Sequence, residues 1–257
     1  MRVLVVTAVP VERDAVTRAF GGPEERVALP GAELHRCGAF DVLAGGAGPA
    51  AAAAATAFAL ASGAPASGAS ASRASASRAS ASGAPASAPY GLVVSAGIGG
   101  AFTPVTPLGS LIVADGIVAA DLGAETADGF LPVTALGFGR DRFTPPPALV
   151  RAVAAATGAA AGPVLTVSTV TGSAERAGAL LAAHPGALAE AMEGFGVAEA
   201  AARAGVPVLE VRAVSNAVGP RDRDAWRIGD ALAALTAAFG KAAPVLEGWN
   251  SHEDLEG

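Results

Sequence analysis

Apolar runs of five to ten residues recur along this chain, separated by longer stretches in which apolar positions return every three or four residues. The short runs lie at 2–8, 40–44, 91–96, 110–119, 163–171 and 206–214. They are rich in Val, Ile and Leu, and runs of that length without polar alternation predict strands covered on both faces. The longer patterns predict helices at 11–20, 49–61, 147–157, 174–184, 193–204 and 229–241. Pro49 and Pro147 stand where a first helical turn tolerates proline, and Gly205 ahead of Pro207 ends the fifth helix. Strand–helix alternation of this kind predicts an α/β domain around a parallel or mixed sheet.

One tract breaks the pattern. Residues 62–89 are almost wholly Ala, Ser, Gly and Pro, and Arg73 and Arg78 are their only charges. The heptapeptide Ala-Ser-Gly-Ala-Pro-Ala-Ser stands at both 61–67 and 81–87. Such a segment cannot bury enough apolar surface to offset the ordering of its backbone. Long insertions in surface loops cost little, so the expectation is a disordered loop inside one domain spanning 1–257.

Composition then narrows the function classes. A net charge of −6 gives no basic footprint for nucleic acid. The single cysteine, Cys37, excludes an internal disulfide and fits a reducing cytoplasm, with the residue itself packed on a short strand. The apolar start meets Glu12, Arg13 and Asp14 too soon for a signal peptide. The uncharged stretch after Asp41 is too poor in Leu, Ile and Phe for a membrane span.

Polar chemistry collects where strand patterns end. The run 206–214 stops at Ser215 and Asn216, followed by Gly219, Pro220 and the charged cluster Arg221, Asp222, Arg223 and Asp224, with Trp226 behind it. In open α/β sheets ligands bind beyond the carboxyl ends of strands, which makes Asn216 a candidate ligand group. Gly45, Gly46 and Gly48 open an Ala-rich helix and could present backbone N–H groups to an anion. No acid stands on a second strand about twenty residues further on, as a dinucleotide site would require. Ser95, Gly97, Gly99 and Gly100 follow another strand, either as a tight turn or as a place where backbone approaches a ligand. Glu12 and Glu193 stand at predicted helix starts, where acids serve as N-terminal charges or face a ligand. His35 falls on a short edge-like segment, His184 at a helix C-terminus and His252 in the polar tail; they do not cluster, so no metal is expected.

Taken in chain order, the N-terminal strand running into Glu12, the Gly45–Pro49 turn with its Ala-rich helix, Ser95–Gly100, Thr171–Arg176, Met192–Glu193 and Ser215–Asp222 resemble the nucleoside phosphorylase and nucleosidase superfamily, and within it the futalosine hydrolase family. The resemblance runs over nearly the whole chain apart from the inserted tract and the last residues. It implies a single three-layer α/β domain with a central mixed sheet flanked by helices, no cofactor, a small nucleoside substrate and a homo-oligomer, a dimer or higher. By the same resemblance Glu12 matches the carboxylate that activates water, and Glu193 the one that grips the ribose hydroxyls with Met192 packed on the sugar. Gly97 and the stretch Thr169, Val170 and Thr171 lie along the substrate. Asn216 falls where adenine-specific methylthioadenosine/S-adenosylhomocysteine nucleosidases carry an aspartate. An amide donates to a 6-oxo group and accepts from a protonated N7, which points to hypoxanthine as the leaving base, as in futalosine, an intermediate of menaquinone biosynthesis. Related phosphorylases hold phosphate with an arginine near the second glycine cluster; none stands nearby in this sequence, which favours water as acceptor. Asp222 is a candidate acid. Arg221, Arg223 and Trp226, with Phe102, Phe138 and Phe195, are candidates for the carboxyphenyl extension of futalosine. A nucleosidase for another purine nucleoside and a nucleoside-binding protein without turnover stay open as alternatives.

Overall fold

The computed structural model describes residues 1–62, 90–103 and 105–249. Of the expected disordered insertion at 62–89 only Ser62 is described, at the end of a helix; residues 63–89 and His252 lie outside the described residues. Among the described residues twelve strands and six helices follow one another, beginning with β1 (Val3–Thr7), α1 (Pro10–Ala19), β2 (Glu25–Leu29), β3 (Ala32–Cys37), β4 (Phe40–Ala44) and α2 (Pro49–Ser62). Then come β5 (Leu92–Ala101), β6 (Leu111–Ala119), β7 (Gly123–Thr126), β8 (Gly129–Pro132), β9 (Arg142–Phe143) and α3 (Pro147–Thr157). The chain continues through β10 (Ala160–Thr166), α4 (Ala174–Ala183), β11 (Ala189–Ala191), α5 (Gly194–Arg203), β12 (Val208–Ala217) and α6 (Ile228–Gly248).

The main sheet has the order β11-β10-β6-β12-β5-β1-β4-β3-β2, with β9 attached to β6. It is mixed: β4, β1, β5 and β12 run parallel, whereas β6 is antiparallel to β12. Its two faces explain the three layers. Along β1, Val3 and Val5 pack with Val16 of α1, Leu149 of α3 and Leu235 and Phe239 of α6. Leu4 and Val6 pack on the other side with Ala52 and Ala59 of α2 and Ala198 and Ala201 of α5. Successive strand residues point to opposite faces, so continuous apolar runs in β1 and β5 are what a sheet sandwiched between helices demands. The α/β class and the mixed, helix-flanked sheet expected from the sequence are therefore observed.

One feature of the sheet positions everything that follows. Besides closing the row, β11 pairs antiparallel with the far end of β5, Glu190 opposite Gly100. Strands β5, β12, β6, β10 and β11 thus form a ring, and Gly100 is held between Glu190 on one side and Asn216 on the other. Tertiary pairing also extends two strands past their expected ends. Gly97 to Gly100 are strand and not a turn, because β12 pairs along all four and β11 adds a second ladder at Gly100. Ser215 and Asn216 likewise lie inside β12, with a bulge between Val214 and Asn216. The reverse holds for the 163–171 run, which leaves the sheet after Thr166. There the backbone N–H groups of Ser168 and Thr171 go to the side chains of Asp121 and Glu190 instead of a neighbouring strand.

Short strands missing from the pattern are β2, the β7–β8 hairpin, β9 and β11, whereas β3 is the short strand expected around Cys37. His35 proves to lie on an internal strand, β3 being paired on both sides. α6 runs past 241 and through Pro244, its last turn held down by the buried Leu246. Among the described residues no helix is long and apolar enough to cross a membrane. Cys37 is buried at the end of β3, where burial pushes its thiol up to about 11.

Candidate active site

The parallel strands β1, β4, β5 and β12 all end at one edge, and the loops and strand ends there carry a buried polar group. Glu12 is the third residue of α1, placed by the short β1–α1 turn. Its Oε2 accepts from the backbone N–H groups of Ala8 at 3.0 Å and Val9 at 3.2 Å, which serves the helix start. Its Oε1 accepts from Ile98 N on β5 at 2.8 Å, 86 residues away. Helix capping and cross-chain fixing are therefore done by one carboxylate. Burial raises the Glu12 pKa; the Ile98 N–H and the Arg212 charge pull it down, and Glu193 pushes it further up.

Glu193 is the N-cap of α5 yet makes no side-chain bond to its own helix. Its Oε1 accepts from Gly48 N at 3.2 Å and its Oε2 from Arg212 Nη1 at 3.2 Å. The glycine turn after β4 thus presents its backbone N–H to an anion, as its composition suggests, and the anion is the protein's own glutamate. Gly48 has a φ of 89°, a backbone conformation that suits glycine.

Arg212 joins these parts, and its part in the site was not foreseen. It is fully buried. Nε donates to Glu210 Oε1 at 2.8 Å and Nη2 to Ser95 Oγ at 3.0 Å. Glu210 and Arg212 stand two apart inside the run read from the sequence as apolar. Two opposite charges at the strand period share one face, and that was the available signal. The absence of an arginine near the second glycine cluster also has to be corrected, since Arg212 reaches Ser95 from across the β5–β12 ladder. Burial disfavours its charge, but Glu210, Glu193 and Glu12 outweigh this and raise its pKa. Burial likewise raises the Glu210 pKa against the pull of Arg212.

Gly97 is explained by the same convergence. A side chain there would lie 2.7 Å from Glu12 Oε1 and 2.8 Å from Arg212 Nη1. Three residues further along β5, a side chain on Gly100 would lie 3.1 Å from Asn216 Nδ2. Asn216 is half-buried; its Oδ1 accepts from Ser215 Oγ at 2.8 Å and its Nδ2 donates to Ala217 O at 2.9 Å. One amide hydrogen and one carbonyl lone pair are left over. Across β5, Glu190 accepts from Thr171 N at 2.9 Å and Thr171 Oγ1 at 2.5 Å, holding the exposed Val170 at the same end of the sheet.

The remaining predicted residues divide. Met192 is half-buried next to Glu193. Arg221 and Arg223 lie 5.6 and 5.9 Å from the Trp226 ring, and Arg227 N donates to Ser215 O at 2.8 Å, so this loop folds back on the Asn216 strand. Asp222 is exposed and lies outside the buried group. Phe102 is core and Phe138 is 68 % exposed. Phe195 lines a cavity of about 140 Å³ with Pro49, Leu122 and Thr166, beside the Glu193–Gly48 bond. No three His, Cys, Asp or Glu side chains among the described residues gather as metal ligands.

Comparison with known proteins bears on this geometry. Residues 33–247 match the family model of the phosphorylase superfamily. The chain is 63 % identical over 254 residues to a futalosine hydrolase of Streptomyces coelicolor, covering 98 % of this chain and 100 % of that one. The chain belongs to the futalosine hydrolase family. A family member from Acidothermus cellulolyticus is 45 % identical over 155 residues, 58 % of this chain and 63 % of that protein. The fold is shared more widely. A methylthioadenosine/S-adenosylhomocysteine nucleosidase of Neisseria meningitidis, solved with methylthio-immucillin-A, superposes with a TM-score of 0.73 at 18 % identity, over 95 % of this chain and 99 % of that one. The futalosine hydrolase of Helicobacter pylori superposes at 0.70 and 18 % identity, over 96 % and 97 % of the two chains.

Proposed function

We propose that this chain hydrolyses the N-glycosidic bond of futalosine, releasing hypoxanthine and dehypoxanthine futalosine in the cytoplasmic route to menaquinone. The observation that carries the assignment is the convergence of Glu12 and Glu193 on Arg212, with Asn216 four residues further along the same strand. Sugar, water and base are each given a polar group.

In this scheme the C1′–N9 bond breaks through an oxocarbenium-like state. Glu193 grips the 2′- and 3′-hydroxyls, an orientation effect, and Met192 packs on the sugar. Glu12, held at both oxygens, acts as general base on the attacking water. Gly97 and Val170 border the substrate. Asn216 donates its spare amide hydrogen to O6 of the base and accepts from N7–H through Oδ1. Being an amide, it stabilises the leaving base but cannot supply the N7 proton, which solvent water delivers. Asp222 stands in solvent, and the scheme gives it a part only when the loop carrying Trp226 folds over the base. Arg221 and Trp226, already stacked, suit a carboxyphenyl group as cation and aromatic face.

Water is the acceptor for an electrostatic reason. Arg212 is the cation of the buried group, and Nε, Nη1 and Nη2 each donate to a protein acceptor. Three carboxylates surround it, an unfavourable place for a phosphate dianion. The exposed apolar side chains of Leu122, Phe130, Leu131 and Phe138 form the surface on which a second copy would pack. Incubating the purified protein with futalosine in phosphate-free buffer should release hypoxanthine, seen by chromatography. Release that requires phosphate would make it a phosphorylase. Adenine release from methylthioadenosine with futalosine untouched would replace the substrate, and tight binding without base release would make it a binding protein.

A further inference from the structure

Glu210 is the acid of the buried group that no step above uses. It is completely enclosed, and among the described residues its Oε2 meets no hydrogen-bond donor. A bare oxygen on a buried carboxylate opposes folding, so stability alone does not account for this residue. The packing nevertheless makes room for it, since a side chain on Gly194 would collide with the Glu210 carboxylate. Its other oxygen takes Nε of Arg212 at 2.8 Å from the same strand face.

A guanidinium is a rigid planar fork. Once Nε is held, the plane and the directions of Nη1 and Nη2 are set, and here they reach Glu193 Oε2 at 3.2 Å and Ser95 Oγ at 3.0 Å. Without that anchor a long side chain with several rotatable bonds can swing towards Glu12, whose Oε1 lies just across Gly97. Glu193 would then keep only its bond from the Gly48 backbone.

We propose that Glu210 is a positioning residue for sugar recognition: it aims Arg212 by its Nε, and Arg212 in turn fixes the Glu193 carboxylate against the ribose hydroxyls. The inference rests on Glu193 being the group that grips the ribose, and the test separates the two. Steady-state kcat and KM are measured for futalosine and its 2′-deoxy analogue with wild type, Glu210→Gln, Glu210→Leu and Gly194→Ala. Wild type should favour the ribonucleoside in kcat/KM by on the order of 10- to 100-fold, the span of a hydrogen bond to a charged group. In Glu210→Leu that preference should fall to about threefold or less, because the contact to be lost is already misplaced. Glu210→Gln keeps an acceptor for Nε and should retain the preference within about threefold. Gly194→Ala keeps both charges but displaces the Glu210 carboxylate, and should lower the preference even if the leucine variant does not fold.

A purely structural role would slow both substrates alike and leave their ratio intact; that result in the leucine or alanine variant overturns the proposal. Equal loss of preference in the glutamine variant overturns it too, since charge and not aim would then matter. No ribose preference in the wild type would instead remove Glu193 from the sugar.

Discussion

Two buried charge clusters sit in this sheet, and they are built on opposite principles. At the β3–β4 side, Asp41 is fully enclosed, and Arg2 at 2.6 Å, Arg36 at 3.3 Å and Tyr90 at 2.8 Å all donate to it. Donors surround one acid, and both of its oxygens are served. At the strand ends the proportions invert: Glu12, Glu193 and Glu210 share Arg212, an oxygen of Glu210 meets no donor among the described residues, and burial raises the pKa of Glu12 and Glu210. A cluster that only holds strands together can serve both oxygens of its acid. One that must present carboxylates to a ligand keeps acids in excess of their partners, and the instability is offset elsewhere.

That contrast can be broken by mutation. The largest effect is expected at Glu12: Glu12→Gln should lower kcat by about 10³-fold, the range of a lost general base, while KM changes little. Near-normal hypoxanthine release would put Glu12 in the same structural class as Asp41. The wild-type acid limb should sharpen the point. Because burial raises the Glu12 pKa above its usual 4.5, activity should fall as pH drops through a value above 4.5, and Glu12→Gln should abolish that limb. A limb at or below 4.5 contradicts this assignment.

Asn216→Asp is expected to come next, moving the ratio of hypoxanthine to adenine release by about tenfold or more towards adenine, since a mismatched buried donor or acceptor is strongly discriminated against. Competition between inosine-type and adenosine-type nucleosides reads this directly; an unchanged ratio means the base is recognised elsewhere. The smallest catalytic effect belongs to the other cluster. Asp41→Asn should cost about 3 kcal/mol of stability in urea unfolding, as when a buried ion pair is broken, with kcat within about twofold. A large fall in kcat would erase the distinction between the two clusters.

Much of this was legible beforehand. The α/β class followed from period and length, and the family likeness rested on Glu12, the Gly45–Pro49 turn, Met192, Glu193 and Asn216 in order. Strand ends were less legible than strand centres. Gly97 to Gly100 resemble a turn by composition, and only the ladder with β12, joined at Gly100 by β11, keeps them extended. Thr169 to Thr171 resemble strand, but Asp121 and Glu190 capture the backbone donors of that loop. Apolar neighbours hide Arg212 in the sequence, although Glu210 two residues earlier marks a charged face.

By itself, then, the amino-acid order determined which segments become strands and helices and which residue types can do chemistry, because both depend on local periodicity and on side-chain functional groups. The tertiary structure alone decided that β11 returns along β5, that Arg212 stands between carboxylates drawn from α1, the start of α5 and its own strand, and that Gly97 must lack a side chain. Those outcomes depend on contacts between residues far apart in the sequence, such as Glu12 with Ile98 and Arg212 with Ser95. Such contacts leave no local periodicity in the sequence, since the partners meet only when the sheet closes.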